Sequence, residues 1–169
     1  MMMTRSEIHN RFVERFAVGI KTPCLPEALK QVEKALNTRF PQSFIRFATC
    51  YGAVHTPGIQ DLVTVGDPDH SPEGLHHDVL EFFSANDMLK TTEAYRSAGM
   101  DDALVVVASD CMGNVFGFRI IAGTERPDDA PVHVFDHGQG RISAVAPSFD
   151  GWLKSFVDLK QPDASANGM

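Results

Sequence analysis

Residues 103 to 118 read Ala-Leu-Val-Val-Val-Ala-Ser-Asp-Cys-Met-Gly-Asn-Val-Phe-Gly-Phe. Leu104 to Ala108 is an unbroken aliphatic and β-branched run, the pattern of a strand buried on both faces. Ser109, Asp110, Gly113 and Asn114 then supply turn chemistry, since Asp and Asn bond their own backbone and Gly tolerates positive φ. Val115 to Phe118 resumes a strand that extends to Ile121. The stretch predicts a central β-hairpin on which the remaining elements pack.

Downstream, Gly123 to Pro131 reads as a polar loop, Val132 to Phe135 as a strand, and Gly138-Gln139-Gly140 as a turn into a strand over Arg141 to Val145. Ser148 is placed to cap a last helix with Phe149, Trp152, Leu153, Phe156 and Val157 on one face. Upstream, Ser84 with Asp87 predicts a helix N-terminus, and that helix runs to about Ser97. Val79 to Phe83 and Ile59 to Val65 read as strands. Between them, residues 66 to 78 form a run of turn formers, acids and histidines. A connection of that length is functional or unstructured.

The first third is helical. Thr4-Arg5-Ser6-Glu7 has capping-box spacing, and Ile8, Phe12, Val13 and Phe16 mark a helix over 5–18 with Gly19 to end it. Pro26 opens a second helix with an apolar stripe of Leu29, Val32, Ala35 and Leu36. Phe40-Pro41 opens a third, carrying Phe44, Phe47, Ala48 and Tyr51, with Gly52 as its stop. No internal repeat or interdomain linker interrupts the chain, so it reads as a single domain over 1–159 with about six strands and a polar tail over 160–169.

Composition excludes several classes. The chain is 43% hydrophobic and 22% charged, ordinary for a globular domain. Cys24, Cys50 and Cys111 are too sparse for a disulfide framework and form no CxxC pair, which suits a reducing cytoplasm. Met1 to Glu7 leads into no apolar leader run, and no apolar stretch approaches a membrane span. The net charge is −7, and its distribution is uneven. Residues 47 to 89 contain no Lys or Arg, yet hold Asp61, Asp67, Asp69, Glu73, Asp78, Glu81 and Asp87. Seven of the chain's 22 acids fall there, which leaves 15 to balance the 15 bases of the remainder. A field of this kind repels nucleic acid and attracts basic proteins or cations.

Three stretches in order carry a resemblance. They are Phe40-Pro41-Gln42-Ser43-Phe44-Ile45-Arg46-Phe47 with Gly52 and the upstream Glu33; Val105 to Phe118; and Val145-Ala146-Pro147-Ser148-Phe149-Asp150-Gly151-Trp152-Leu153. Together they resemble the SUKH superfamily over about residues 26–159, in particular the branch named for a fungal regulator of cell-wall glucan synthesis. The resemblance implies an α+β fold, with a curved, mainly antiparallel sheet and helices packed against it, and it carries over no catalytic residues. Bacterial members are mostly immunity proteins that neutralise toxins, often nucleases, and eukaryotic relatives are interaction hubs. The long acidic loop and Phe40, where Leu is usual, depart from the family pattern.

Residue chemistry adds no catalytic set. His76-His77-Asp78 with His70, Asp67 and Asp69 is the best metal candidate, but adjacent histidines on a loop need a third fixed ligand. Cys111 would need His133 or His137 as a base. Gly138-x-Gly140 has Ser143 where a third glycine is required for a dinucleotide site. The sequence therefore predicts no catalytic residue, cofactor or metal. It predicts a cytoplasmic binding module that associates with a basic toxin domain through Asp67, Asp69, Glu73, His76, His77 and Asp78, with no nucleic-acid or membrane partner. The alternatives are a scaffold for an endogenous partner, or a metal-dependent hydrolase using the His/Asp loop.

Overall fold

Two strands pair antiparallel at the centre of the molecule, β4 (Leu104–Ser109) and β5 (Val115–Arg119), with Val105 opposite Phe118 and Ala108 opposite Phe116. The computed structural model of the protein describes residues 2–64 and 78–160. Within them the order is α1 (Arg5–Phe16), β1 (Val18–Thr22), α2 (Pro26–Leu36), α3 (Gln42–Cys50), β2 (Ala53–His55), α4 (Gly58–Thr64), β3 (Glu81–Phe82), α5 (Ala85–Ser97), β4, β5, β6 (Val132–Asp136), β7 (Arg141–Ala146) and α6 (Phe149–Val157). The seven strands form one antiparallel sheet in chain order, open at β1 and β7. The class is α+β, as expected, with one strand more than the sequence suggested.

The register explains why β4 is apolar throughout. Phe116 and Phe118 alternate with Val115 and Gly117, so the two pairs face opposite sides of the sheet. On the first side, Phe116 meets Trp152 at 5.1 Å between ring centroids and Phe118 meets Phe44 and Phe149, so α3 and α6 cover it. On the second side, Phe135, paired with Val115, packs edge-on to Tyr95 of α5. Both faces of β4 are therefore covered, and Leu104 to Ala108 are fully buried. Rings continue from Phe12 of α1 through Phe47 of α3 to Phe82 of β3. Offset and edge-on aromatic contacts of this kind each add about 0.5–1.5 kcal/mol beyond burial.

A bulge between Val106 and Ala108 sets the curvature of the hairpin locally. The Val106 N–H bonds the Thr92 hydroxyl of α5. Gly117 lies opposite Val106, where a Cβ would stand only 1.8 Å from the Val105 carbonyl oxygen. No side chain fits there.

Caps read from the sequence form as expected. Thr4 and Glu7 make a full capping box, Ser84 Oγ accepts the Asp87 N–H, and Ser148 Oγ accepts the Gly151 N–H. Pro26 stands at the first turn of α2, and Gly52 follows α3 at φ 70°.

Four local expectations are corrected. Residues 59 to 65 were expected as a strand, but Gly58–Thr64 is helix α4. Ile59, Leu62 and Val63 fall at i, i+3 and i+4 and pack inward together, so helical spacing prevails over β-branched content. Helix α1 ends at Phe16, two residues before the expected end, and Val18–Thr22 pairs with β2 as an exposed edge strand. In α2, Ala35 faces solvent and Glu33 is buried in its place. Strand β5 ends at Arg119 rather than Ile121, although the Ile120 N–H still reaches the Ala103 carbonyl.

Candidate partner-binding surface

The base-free segment contributes β2, α4, β3, the start of α5 and the connection before β3. Of the six residues expected to meet a partner, Asp78 lies within the described residues. Asp67, Asp69, Glu73, His76 and His77 lie outside them.

Asp78 sits beside the turn of the central hairpin. Burial, and then the neighbouring Asp110, raise its carboxyl above the usual range, and the Cys111 thiol donates to Oδ1 across 3.9 Å. Its partial withdrawal from water makes it a weaker anion than the sequence suggested. Asp110 is buried and fully used by the turn. Its Oδ1 accepts the N–H groups of Met112 and Asn114, and its Oδ2 accepts from the Asn114 amide. The turn is held further by the Tyr95 hydroxyl, which donates to the Gly113 carbonyl, and by the His137 N–H, which donates to Asn114 Oδ1.

The outward acids of the segment are others. Asp61 on α4 and Asp87 at the start of α5 are exposed. Glu81 on β3 is more than a third exposed, with His55 Nδ1 at 3.8 Å and the Ser109 hydroxyl at 3.4 Å. These three place solvated carboxylates around the β2–β3 region, on both chain sides of residues 65–77.

Cys111 is exposed, and its thiol is pushed above its ordinary range by desolvation and then by Asp78 and Asp110. A thiol held protonated by two carboxylates is a poor nucleophile. Among the described residues its polar neighbour is Asp78; no hydrogen bond joins it to His133 or His137. Among the same residues, no group of three His, Cys, Asp or Glu side chains could hold a metal ion. His70, His76 and His77 lie outside them.

Two polar networks escaped the sequence reading. The first binds α1, α3 and α6: His9, fully buried, has Nε2 at 2.7 Å from Asp150 Oδ1 and Nδ1 at 2.8 Å from Arg46 Nη1. Arg46 can only donate, so Nδ1 accepts and Nε2 carries the proton given to Asp150. Arg5 also reaches Asp150 and Asp128. The second joins Glu33, Arg126 and the backbone of Phe40. The partners are so far apart in sequence that no spacing rule reveals them. The resemblance alone singled out Glu33.

The described residues also line concavities elsewhere. One, of about 640 Å³, lies between α2 and the segment after β5 and is lined by Lys30, Lys34, Arg39 and Arg126. Another, of about 450 Å³, lies between the end of α5 and the hairpin turns, against Tyr95, Phe135 and His137. No helix among the described residues is long and apolar enough to cross a membrane.

The family model described as SMI1 / KNR4 family (SUKH-1) matches residues 23–155. No curated protein matches the chain.

Proposed function

The chain belongs to the SMI1/KNR4 family (SUKH-1), and from that premise we propose that it is a non-enzymatic, cytoplasmic immunity protein that neutralises a basic, nuclease-type toxin by stoichiometric association. Membership in this family is compatible with an immunity protein or a regulatory binding module. The observation that favours the first is the charge pattern: 43 consecutive positions, 47 to 89, without a Lys or Arg in a chain otherwise balanced. A nuclease domain needs a cationic face for nucleic acid, and a carboxylate surface both occupies that face and speeds encounter.

The partner-binding residues in this proposal are Asp67, Asp69, Glu73, His76, His77 and Asp78, supplemented by the solvated Asp61, Glu81 and Asp87. Asp78 sits at the inner margin of the surface, where partial burial suits a hydrogen-bonding role more than a long-range one. Support for a non-enzymatic role comes from the family and from Cys111, where desolvation and then the carboxylates of Asp78 and Asp110 oppose thiolate formation. The test is capture of a partner from native lysate on the immobilised protein, followed by a toxicity assay of that partner. A basic protein that is toxic alone and inactive in a one-to-one complex is the expected result. Capture of a non-toxic housekeeping protein instead supports the regulatory alternative. Turnover of nucleic acid or esters by the pure protein, lost on mutating His76 and His77, overturns the proposal.

A further inference from the structure

Helix α2 buries Leu29, Val32 and Leu36, which leaves Lys30 and Lys34, one turn apart, on an outer face. The chain then reverses at Asn37, at φ 52°, and Thr38 Oγ1 accepts the Ile121 N–H, tying this corner to the end of β5. Arg39 follows, its Nε held by the Gly123 carbonyl at 2.9 Å. Arg126 enters from the 123–131 loop, fixed by Glu33 and the Phe40 carbonyl. Four cations thus converge on one cavity of about 640 Å³, floored by Ile120, Ile121 and Ala122.

Glu33 is the one carboxylate among the lining residues, and both its oxygens are already engaged by Arg126 and the Phe40 N–H. Lys30 has Glu27 at 3.9 Å, both well exposed. Lys34 and the terminal nitrogens of Arg39 have no protein partner among the described residues. A chain of net charge −7 has here gathered four bases around a single acid. Such a grouping repels itself unless a counter-charge sits within it. The C-terminus of α2 opposes an anion, but its dipole amounts to only about half a charge. Its last carbonyls are also capped by the N–H groups of Asn37 and Thr38.

We propose that this cavity binds a small molecule bearing an oxyanion, phosphate or carboxylate, held by Lys34 and Arg39 with Arg126 as a fixed positive wall. Its volume falls in the range of small-molecule sites, about 300–1,000 Å³, and exceeds what a bare ion fills. Planar guanidinium forks and an ammonium suit either oxyanion. The site is separate from the acidic surface. Ile120 bonds Ala103 at one end of the β4–β5 hairpin, whereas Asp78 and Asp110 lie at its turn, about 20 Å away along the strands. The proposal stands whether or not the partner is a toxin.

The test is a backbone-amide NMR titration of the full chain with inorganic pyrophosphate and, separately, with citrate, at constant ionic strength. Saturable shifts at Arg39 and at Ile121 to Gly123 are expected. Saturation by pyrophosphate alone assigns the phosphate class, and by citrate alone the carboxylate class. The double variant Lys34→Ala/Arg39→Ala should weaken Kd by about tenfold or more, the loss of one to two charge-assisted hydrogen bonds. Lys154→Ala, outside the cavity, should leave Kd unchanged. Should the double variant misfold, Lys30→Ala/Lys34→Ala, which gives up only the exposed pair of Lys30 with Glu27, carries the same comparison. Non-saturable shifts with both probes, or equal Kd in wild type and the folded variant, overturn the proposal.

Discussion

Glu33 and Arg126, 93 residues apart, meet in a two-point ion pair, Nη1 to Oε2 at 2.7 Å and Nη2 to Oε1 at 3.1 Å. The same carboxylate accepts the Phe40 N–H at 2.8 Å, and the same guanidinium donates to the Phe40 carbonyl at 2.7 Å. One buried acid therefore fixes three things: the last turn of α2, the entry to α3 and the loop after β5.

Removing the acid leaves the Phe40 N–H without its acceptor and Arg126 with the Phe40 carbonyl alone. Glu33→Ala should cost about 3 kcal/mol, read as a lowered urea midpoint at unchanged m. Glu33→Gln keeps the shape and one acceptor oxygen and should cost less. A loss below about 1 kcal/mol for Glu33→Ala would mean that water replaces the carboxylate freely.

Asp150 gives the acid limb of the stability curve a residue-level cause. Burial raises its carboxyl, but hydrogen bonds from His9 and Arg5, together with the Arg5 charge, more than offset this and hold it below its ordinary 3.8. A carboxylate with a depressed folded value stabilises the fold above the unfolded value and loses that contribution as pH falls through the folded one. Wild type should therefore weaken from about pH 4 downward. Asp150→Asn should be clearly less stable than wild type at pH 7, and the gap should narrow by pH 2.5. Urea unfolding of both proteins at the two pH values decides it; a gap that stays constant removes Asp150 from the acid limb.

Trp152 is 3% exposed, wedged between Phe116 of β5, Phe82 of β3 and Phe156 of its own helix. Trp152→Ala should cost about 3–5 kcal/mol and reduce soluble yield, whereas Trp152→Phe should retain a folded core. Denaturant unfolding of both variants is the measurement. An intact midpoint for Trp152→Ala would make the α6 face an interface rather than core.

What was legible in the sequence is what local physics controls. The capping box at Thr4, the caps at Ser84 and Ser148, and the apolar run of β4 each depend on neighbours within a few residues, and each forms as read. What failed depends on distant partners. The pair of Glu33 and Arg126 spans 93 residues, so helical spacing alone assigns the buried stripe to Ala35 and not to Glu33. No spacing rule marks His9 for burial, which its distant partners Asp150 and Arg46 make possible. Strand β1 has all five residues exposed, and without a buried face its sequence carries no period-two signal. Of the candidate surface, the acidic character was plain from composition. The turn role of Asp110 was legible too, but the partial desolvation of Asp78 follows only from the hairpin's geometry.

The last prediction separates recognition from solubility. Asp67, Asp69 and Glu73 fall in a stretch of sequence too polar to supply core. Reversing all three to Lys should change stability by no more than about 0.5 kcal/mol each. If they steer a basic partner, association with the captured protein should slow by about tenfold or more at low salt. Raising the ionic strength should slow the wild type towards the variant, because exposed charges are screened within about 8–10 Å near 0.1 M salt. Dissociation should change less than association, as for charges at a rim rather than at a desolvated centre. Asp78→Asn is the contrasting variant. Its carboxyl is already partly desolvated, so its loss should leave the association rate nearly unchanged and act on dissociation. Stopped-flow or surface-binding kinetics of the three proteins at low and high salt give the association and dissociation rates. Equal association rates with no salt dependence would reduce the acidic segment to a solubilising face and move recognition to the open sheet edges.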